Sequence, residues 1–399
     1  MQGLILCSAW SSLATKTTAM SESTREYLDG ATAIVRGALD AGCNFFAGYP
    51  ISPATSILVQ MMRQLPRCGG VAVQAEDEIA SISMCIGAVM AGARAMTATS
   101  GPGVSLYSEN IGLAIGAEVP LVIVDVQRAG PATGGATTVG QGDIQFVRWG
   151  TSGGYPLIAL APSSAPECYT LTMKAFDLAE RFRCPVFLMT DKELNLTMTT
   201  VELGEFVSVP VRERQGAGEP GSKEKEFRPY RFDPPDGVPP LVPFGGDLIV
   251  RFTGSSHDER GLLVKDPAQV DALNRHLAEK IEAHRDEIEL VKTDAQPDAA
   301  TLVVSYGVTA RAMEEAVQEA RGKGHRVSAL TIQSLWPVPE DAIRAALEGI
   351  ERVIVAELNL GDYRREIERI ANGCRIVGLN RVDGELISPE QIVAAIAGV

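Results

Sequence analysis

The sequence has no closely spaced cysteine pair, no long apolar run and no cluster of basic residues. Its seven cysteines are scattered and odd in number, which argues against a disulfide framework and predicts a reducing, cytoplasmic location. Their spacing also argues against an iron–sulfur cluster or a zinc site built from this chain alone. No stretch reaches the roughly 18 apolar residues that a transmembrane helix needs, so we predict no membrane span.

The charge balance is acidic, with 50 Asp and Glu against 36 Lys and Arg and a formal net charge of −14. A chain of this charge lacks the basic surface that binds nucleic-acid phosphates, although a few arginines could still hold a small anion. The 399 residues are 45% hydrophobic and 22% charged, as in ordinary globular proteins. We therefore expect about two folded domains and no nucleic-acid partner.

Known phosphate and metal motifs are also missing, since the chain has no Walker loop and no H-E-x-x-H. A formal G-x-G-x-x-G occurs at Gly216, Gly218 and Gly221. No apolar strand precedes it and Pro220 lies inside it, so it does not predict a dinucleotide site.

Apolar patterning divides the chain into two α/β units. Residues 22–195 alternate between helical and buried-strand patterns, which is typical of a parallel sheet with helices on both faces. Residues 200–250 are rich in Pro, Gly and charge and predict an extended arm, and residues 265–292 predict one long polar helix. The predicted divisions are an N-terminal extension expected to be disordered (1–27), a first domain (28–200), the arm with its helix (201–296) and a second domain (297–399).

Four polar loops follow predicted strands: GYPISPAT (48–55), AEDE (75–78), TSGPGVS (99–105) and QRAGPATGGATTVGQGD (127–143). Open α/β sheets bind ligands beyond the carboxyl ends of their strands. Because these loops should meet at that edge, we expect the functional site there.

Individual residues in these loops allow two interpretations. Arg128 suits a carboxylate ligand or a surface salt bridge, and Ser100 suits an anion site or a simple helix cap. Helix-dipole effects explain Glu76 and Asp77, whereas Glu78 shares a helix face with Ile82 and is expected to face a packed partner.

A further polar motif, HDERG (257–261), contains one of only four histidines. The motif has two interpretations, a polar cluster that lies over the site or a solvated turn.

Taken together, GYPISP, EDEIASISMCIGAVMAGARAMTATSGPG, PLVIVDVQRAGPATG and HDERG resemble the α subunit of the 2-oxoacid:ferredoxin oxidoreductases, most of all the 2-oxoglutarate type. The resemblance runs from about residue 28 to the C-terminus. It implies oxidative decarboxylation of 2-oxoglutarate with coenzyme A to succinyl-CoA, carbon dioxide and reduced ferredoxin. Pyruvate, a branched-chain or an aryl 2-oxoacid such as phenylglyoxylate, and a non-catalytic structural subunit, stay open as alternatives.

The resemblance also implies an α/β fold, a pyrimidine-type thiamine-diphosphate-binding domain followed by a transketolase C-terminal-like domain. It implies that Glu78 meets the aminopyrimidine of the cofactor, that Ser52 and Arg128 meet the substrate, and that Thr137 belongs to the distal-carboxylate pocket. The implied catalytic residues are Glu78, Ser52 and Arg128. The implied cofactor-binding residues are Glu78, Tyr49, Pro50, Ile51, Ser100, Gly101 and Pro102. The expected substrate-binding residues are Ser52, Arg128, Thr137, His257 and Arg260.

Two departures from the family pattern predict partner chains. The sequence has no G-D-G followed by asparagine and no cluster-binding cysteines. We therefore expect no metal site in this chain, and a β subunit that supplies the diphosphate and Mg²⁺ ligands and a [4Fe-4S] cluster. This predicts an (αβ)₂ or larger assembly that passes electrons to ferredoxin or another acceptor and has room for a γ-type chain.

Overall fold

The computed structural model describes residues 24–214, 227–233, 236–371 and 373–398. The strands are β1 (Arg25–Leu28), β2 (Phe45–Gly48), β3 (Val71–Gln74), β4 (Ala95–Thr99), β5 (Leu121–Gln127), β6 (Ile158–Leu160), β7 (Pro185–Asp191), β8 (Thr199–Glu202), β9 (Val291–Asp294), β10 (Thr301–Ser305), β11 (Val327–Ile332), β12 (Ser334–Trp336), β13 (Arg352–Glu357) and β14 (Arg375–Asn380). Among the described helices, none is both long and apolar enough to cross a membrane.

Helices lie between most of these strands. They are α1 (Gly30–Asp40), α2 (Thr55–Gln64), α3 (Glu78–Met90), α4 (Gly101–Leu106), α5 (Ser108–Gly116), α6 (Ile144–Trp149), α7 (Ala165–Phe182), α8 (Lys192–Leu196), α9 (Pro267–Glu282), α10 (Arg285–Ile288), α11 (Val308–Gly322), α12 (Glu340–Ala346), α13 (Arg364–Ile370) and α14 (Pro389–Ala397).

The first domain is built on a seven-stranded sheet in the order β12–β6–β7–β5–β4–β2–β3. All neighbours are parallel except β12 and β6. Every residue of β5 and β7 is buried, because helices cover both faces of a parallel sheet. The predicted parallel sheet is therefore confirmed, with one strand that comes from the second half of the chain.

The second sheet has five strands in the order β14–β13–β10–β11–β9. Strands β10, β11, β13 and β14 are parallel, and β9 pairs antiparallel with β11. The single long helix predicted over 265–292 is wrong at its end, because α9 stops at Glu282 and the chain turns to add β9 to this sheet. The backbone groups of β9 thus find partners at a sheet edge rather than in a helix.

The N-terminal extension is ordered where the structure describes it. Residues 1–23 lie outside the described residues. Residues Arg25–Leu28 pair antiparallel with Thr199–Glu202 and form a two-stranded sheet. The expectation of disorder up to residue 27 is therefore wrong for residues 25–27, since their backbone hydrogen bonds to β8 hold them in place.

The arm lies across the amino-terminal ends of the central strands. Arg183, directly before β7, donates to the carbonyl oxygens of Glu118 at 3.0 Å, Pro229 at 3.0 Å and Pro239 at 3.2 Å. Glu118 lies just ahead of β5 in the chain. One buried guanidinium therefore ties the arm to the edge of the sheet opposite the polar loops.

A buried ion cluster attaches α9 to the same edge. Glu118 is fully buried, and its Oε2 accepts hydrogen bonds from Lys280 Nζ at 2.7 Å and His276 Nε2 at 3.0 Å. Burial opposes ionisation of this carboxyl, but the charge of Lys280 and the bond from His276 outweigh it and lower the pKa of Glu118. The cluster therefore holds an ionised carboxylate that is fully buried.

A third connection joins the two domains at Gln141, which is fully buried. Its backbone N–H donates to Leu358 O at 2.9 Å, and its side-chain oxygen accepts from Leu358 N at 3.1 Å and Thr309 Oγ1 at 3.2 Å. Its amide donates to Tyr306 O at 3.3 Å, and its carbonyl accepts from Asn359 Nδ2 at 2.7 Å. The loop that carries Arg128 therefore ends on the second domain.

Replacing Lys280 with Met should lower the free energy of unfolding by about 3–5 kcal/mol, because the carboxylate of Glu118 would stay buried without its counter-charge. Equilibrium denaturation measures this loss. The matched control is Lys323→Met, which breaks an exposed pair with Glu319 and should change stability by less than about 1 kcal/mol. Equal small losses for both variants would contradict the structural role of the cluster.

Candidate functional site

Arg128 brings two of the polar loops together at the carboxyl edge of the first sheet. Its Nη1 donates to Ser52 O at 2.6 Å and its Nη2 to Thr133 O at 3.0 Å. The side chain is only 7% exposed, and its Nε is buried with no partner among the described residues. It makes no ion pair with a described acid, so the structure gives no support to the salt-bridge interpretation.

Glu78 is the first residue of α3 and is 6% exposed. The helix cap is made by Asp77, whose side chain accepts from Ala80 N at 2.7 Å, and Glu76 is exposed. The buried carboxylate of Glu78 therefore takes no part in capping the helix. No described residue donates a hydrogen bond to it, although it lies beside a packed network in which Tyr107 Oη meets Ser81 Oγ at 3.1 Å.

A narrow space beside Glu78 depends on Gly103. A Cβ at Gly103 would lie 1.9 Å from Thr99 Oγ1, 2.8 Å from Glu78 Cγ and 3.0 Å from Glu78 Oε1. Ser100 and Thr99 are fully buried, and their hydroxyl groups have no partner among the described residues. Ser100 also makes no side-chain cap bond to α4. Glu78 and the unpartnered hydroxyl of Thr99 therefore pack against Gly103 so closely that even a methyl group is excluded.

A cavity of about 600 Å³ opens beside this space, between the two domains. Gly101, Pro102 and Arg128 line it from the first domain, and Asp362 and Arg365 line it from the second. Neither Glu78 nor Ser52 lines this cavity. The site therefore has two parts, a buried polar space at Glu78 and a larger cavity at Arg128.

The predicted residues of the first loop surround the site without filling it. Tyr49 and Ile51 are half-buried, whereas Pro50 and Ser52 are exposed. Ser52 contacts Arg128 through its backbone carbonyl, and its hydroxyl makes no hydrogen bond to any residue that the structure describes. Thr137 is exposed on the Arg128 loop and does not line the cavity.

Sequence reasoning missed a pair of carboxyl groups behind Arg128. Asp125 is fully buried in β5, and burial followed by the charge of Asp143 raises its pKa well above the usual range. Burial raises the pKa of Asp143 to about 6, against the opposing charge of Arg128. The sequence feature that could have pointed to Asp125 is its position as the single acid in the apolar strand LVIVDVQ.

His257 and Arg260 do not lie beside Arg128. Within one chain, the expectation that they bind the substrate together with Arg128 is therefore corrected. His257 is buried against Tyr230, with ring centroids 3.9 Å apart, and Tyr230 follows the proline that Arg183 binds. This is the amino-terminal edge of the sheet. Strand β5 has seven residues, so roughly 20 Å separates the two edges. Within one chain, these side chains cannot reach a small ligand at Arg128.

The motif HDERG lines a separate cavity of about 480 Å³. The Nδ1 of His257 donates to Ser255 O at 2.7 Å, and burial lowers the pKa of His257. Arg260 pairs with Asp258 at 3.3 Å. The motif therefore shapes a turn in the arm, as in the alternative interpretation of a solvated turn, except that His257 is buried rather than solvated.

Comparison with known proteins identifies the family. Residues 36–275 match the model described as pyruvate flavodoxin/ferredoxin oxidoreductase, thiamine diphosphate-binding. Residues 299–392 match the pyruvate:ferredoxin oxidoreductase core domain II. The chain belongs to the pyruvate flavodoxin/ferredoxin oxidoreductase family. The predicted fold class, a thiamine-diphosphate-binding domain followed by a second α/β domain, is confirmed.

Individual members of this family are similar over nearly the whole chain. The 2-oxoglutarate synthase subunit KorA of Methanothermobacter thermautotrophicus is 43% identical over 93% of this chain and 98% of its own length. The ketoisovalerate oxidoreductase subunit VorB of the same organism is 37% identical over 94% of this chain and 97% of its own. A solved 2-oxoglutarate:ferredoxin oxidoreductase of Magnetococcus marinus superposes with a TM-score of 0.88 at 29% identity, over 96% of this chain and 66% of that one.

The residues at Glu78 suit the polar edge of the cofactor named by the family model. An aminopyrimidine offers ring nitrogens and an amino group, and Glu78 supplies a buried carboxylate with the unpartnered hydroxyl of Thr99 beside it. No group of three or more His, Cys, Asp or Glu side chains that could hold a metal ion occurs within the described part of the chain.

Replacing Gly103 with Ala should destabilise the chain by about 1–3 kcal/mol, because the new methyl group overlaps Thr99 and Glu78. Thermal unfolding of the purified chain measures this change. Gly322→Ala is the matched control, since nothing lies within 4 Å of that Cβ position in α11, and it should leave stability unchanged or raise it by up to about 1 kcal/mol. A Gly103→Ala chain as stable as the control would refute the described packing.

Proposed function

We propose that this chain is the α subunit of a thiamine-diphosphate-dependent 2-oxoglutarate:ferredoxin oxidoreductase. The complete enzyme converts 2-oxoglutarate and coenzyme A into succinyl-CoA and carbon dioxide and passes the electron pair to ferredoxin. The observation that carries this proposal is the buried, unpartnered carboxylate of Glu78 at the same sheet edge as Arg128. The relatives named 2-oxoglutarate synthase and the Magnetococcus marinus enzyme, with 2-oxoglutarate, coenzyme A and succinyl-CoA bound, support the choice of substrate.

Each residue has a separate task in this proposal. Thiamine diphosphate, when bound, supplies the electron sink for loss of carbon dioxide. Glu78 holds a proton against the polar edge of the aminopyrimidine, in a space too small for bulk water. Arg128 binds the carboxylate of the substrate through its remaining N–H groups. Ser52 and Thr137, both exposed at the rim, are proposed to contact the two ends of the substrate.

The cavity supports a dicarboxylate. Arg128 and Arg365 line it from opposite domains, and a substrate with two anionic ends needs two cationic or polar groups. Arg365 is paired only at long range with Asp362, at 3.7 Å. A branched-chain 2-oxoacid is the second candidate, because the relative named for ketoisovalerate is 37% identical, but its apolar end would leave Arg365 without a partner.

The proposal includes partner subunits. A β subunit supplies the diphosphate and Mg²⁺ ligands and the [4Fe-4S] cluster, within an (αβ)₂ or larger assembly in the cytoplasm. Three exposed apolar side chains near Glu78 support a covered surface: Ile79 at 49%, Met84 at 41% and Leu106 at 47% exposure. The buried cysteines Cys43, Cys85, Cys168 and Cys184 are free thiols, which suits a reducing compartment.

The co-expressed complex should reduce an electron acceptor faster with 2-oxoglutarate than with pyruvate, 2-oxoisovalerate or phenylglyoxylate, because only the first has two carboxylates for the two arginines. Comparing kcat/KM for the four acids in parallel measures this preference. A higher kcat/KM for 2-oxoisovalerate would select the second candidate. Inactivity of the whole complex with all four acids would favour a structural subunit.

Replacing Glu78 with Gln should lower the turnover of the complex about 10²–10⁴-fold, because the amide cannot exchange a proton with the cofactor. The same acceptor-reduction assay measures the loss. Glu76→Gln is the matched control, since Glu76 is exposed two residues away and should keep turnover near that of the unmodified complex. Full turnover in the Glu78→Gln complex would exclude the proposed role.

A further inference from the structure

Asp143 stands at a helix-capping position that it does not use. It precedes α6, yet its side chain makes no cap hydrogen bond. Asp191, in the same position before α8, accepts from Leu194 N at 2.9 Å as a capping aspartate normally does. Both carboxylate oxygens of Asp143 instead lie 3.3 Å from the Cβ position of Gly101, at the wall of the cavity. Local helix chemistry therefore does not explain its orientation.

Asp125 lies behind Asp143 and is equally unexplained by the fold. It is fully buried in the centre of the first sheet, and neither of its carboxylate oxygens has a hydrogen-bond partner among the described residues. Asp143 Oδ2 is also buried without a partner. Burial and the charge of Asp143 both oppose ionisation of Asp125 and raise its pKa, so the two carboxyl groups do not titrate independently.

Few charged groups face this pair. Arg128 lies three residues after Asp125, and its positive charge opposes the rise in the pKa of Asp143. Its Nε is buried without a partner among the described residues. From the second domain, the negative charge of Asp362 raises the pKa of Asp143, and Arg365 lines the same cavity. The net charge of this cavity wall therefore changes when Asp143 gains or loses its proton.

We propose that Asp125 and Asp143 are positioning residues for the substrate carboxylate, and that Asp143 takes up a proton when an anion binds at Arg128. This inference rests on the proposed function, in which Arg128 holds that carboxylate. Without the proton, the negative charge of Asp143 lies at the wall of the same cavity as the substrate anion and opposes its binding. With the proton, Asp143 becomes a neutral hydrogen-bond donor in the cavity wall, and the charge of Arg128 is available to the ligand.

The direction in which substrate affinity changes with pH follows from this proton uptake. The pKa of Asp143 is about 6 without ligand, and a nearby substrate anion raises it further. Below that pKa the proton is already in place, so substrate affinity is independent of pH. Above it, each binding event must take up a proton, and affinity weakens by up to about tenfold for each pH unit.

Two measurements on the complete complex test the proposal. The first is the KM for 2-oxoglutarate between pH 5.5 and 8.5, which should be flat below about pH 6 and rise above it. The second is calorimetric titration of 2-oxoglutarate in buffers of different ionisation enthalpy, which counts protons taken up and should give between about 0.5 and 1 at pH 7.5. If the complex oxidises 2-oxoglutarate but shows neither effect, the inference fails while the proposed function stands. If it oxidises a different 2-oxoacid, that acid carries the same carboxylate and is used instead.

Substitutions distinguish a positioning role of Asp143 from a role in folding alone. Asp143→Asn should flatten the KM profile, with a KM at pH 8 about tenfold or more below that of the unmodified complex, because the competing charge is gone. Asp266→Asn changes a helix-capping aspartate outside this cavity, which accepts from Gln269 N at 3.1 Å; it is the matched control and should keep the rise of KM with pH. An Asp143→Asn complex whose KM still rises with pH would overturn the proposal. If that variant does not fold, the proton count of the unmodified complex decides the question.

Discussion

The geometry of the carboxyl edge depends on Gln141. This single buried amide and its own backbone join the loop after β5 to two segments of the second domain, one at Tyr306 and Thr309 and the other at Leu358. In a low-dielectric interior such bonds are costly to leave unmade. The loop that carries Arg128 therefore has one end in a strand of the first sheet and the other on the second domain. The second domain thus contributes to the shape of the site as well as to packing.

The two edges of the first sheet have different tasks. The carboxyl edge carries the hydroxyl groups of Thr99 and Ser100 and the Nε of Arg128, none of which has a partner among the described residues. The amino edge carries the cluster of Glu118, His276 and Lys280, in which Glu118 Oε2 is paired although its Oε1 is not. Unpaired buried groups cost stability and are retained where a ligand uses them, whereas paired groups hold the arm in place.

Patterns along the chain predicted the parts that depend on local chemistry. Apolar runs located β5 and β7 because both are covered on two faces, and the helix behind Glu78 followed from its small and apolar residues. The sequence did not show that β12 joins the first sheet or that β9 joins the second, because strand pairing across long separations leaves no local signal. The place of HDERG was misjudged for the same reason, since loop polarity does not tell which edge of a sheet a loop reaches.

Asp125 could not be recognised from its strand, because its importance depends on Asp143, which lies 18 positions later and appears in the sequence as an ordinary helix cap. Only the fold places the two together. Carboxyl pairs of this kind are therefore a property of strand order and loop path rather than of a motif.

Strand β12 gives the two-domain arrangement a further consequence. It lies in the second half of the chain but completes the sheet of the first, antiparallel to β6. If the domains were separated by cleavage or expressed apart, the first would expose the open edge of β6, and such edges pair readily with other chains. The two domains are thus one folding unit, and a recombination event that exchanged one of them would have to bring a compatible strand as well.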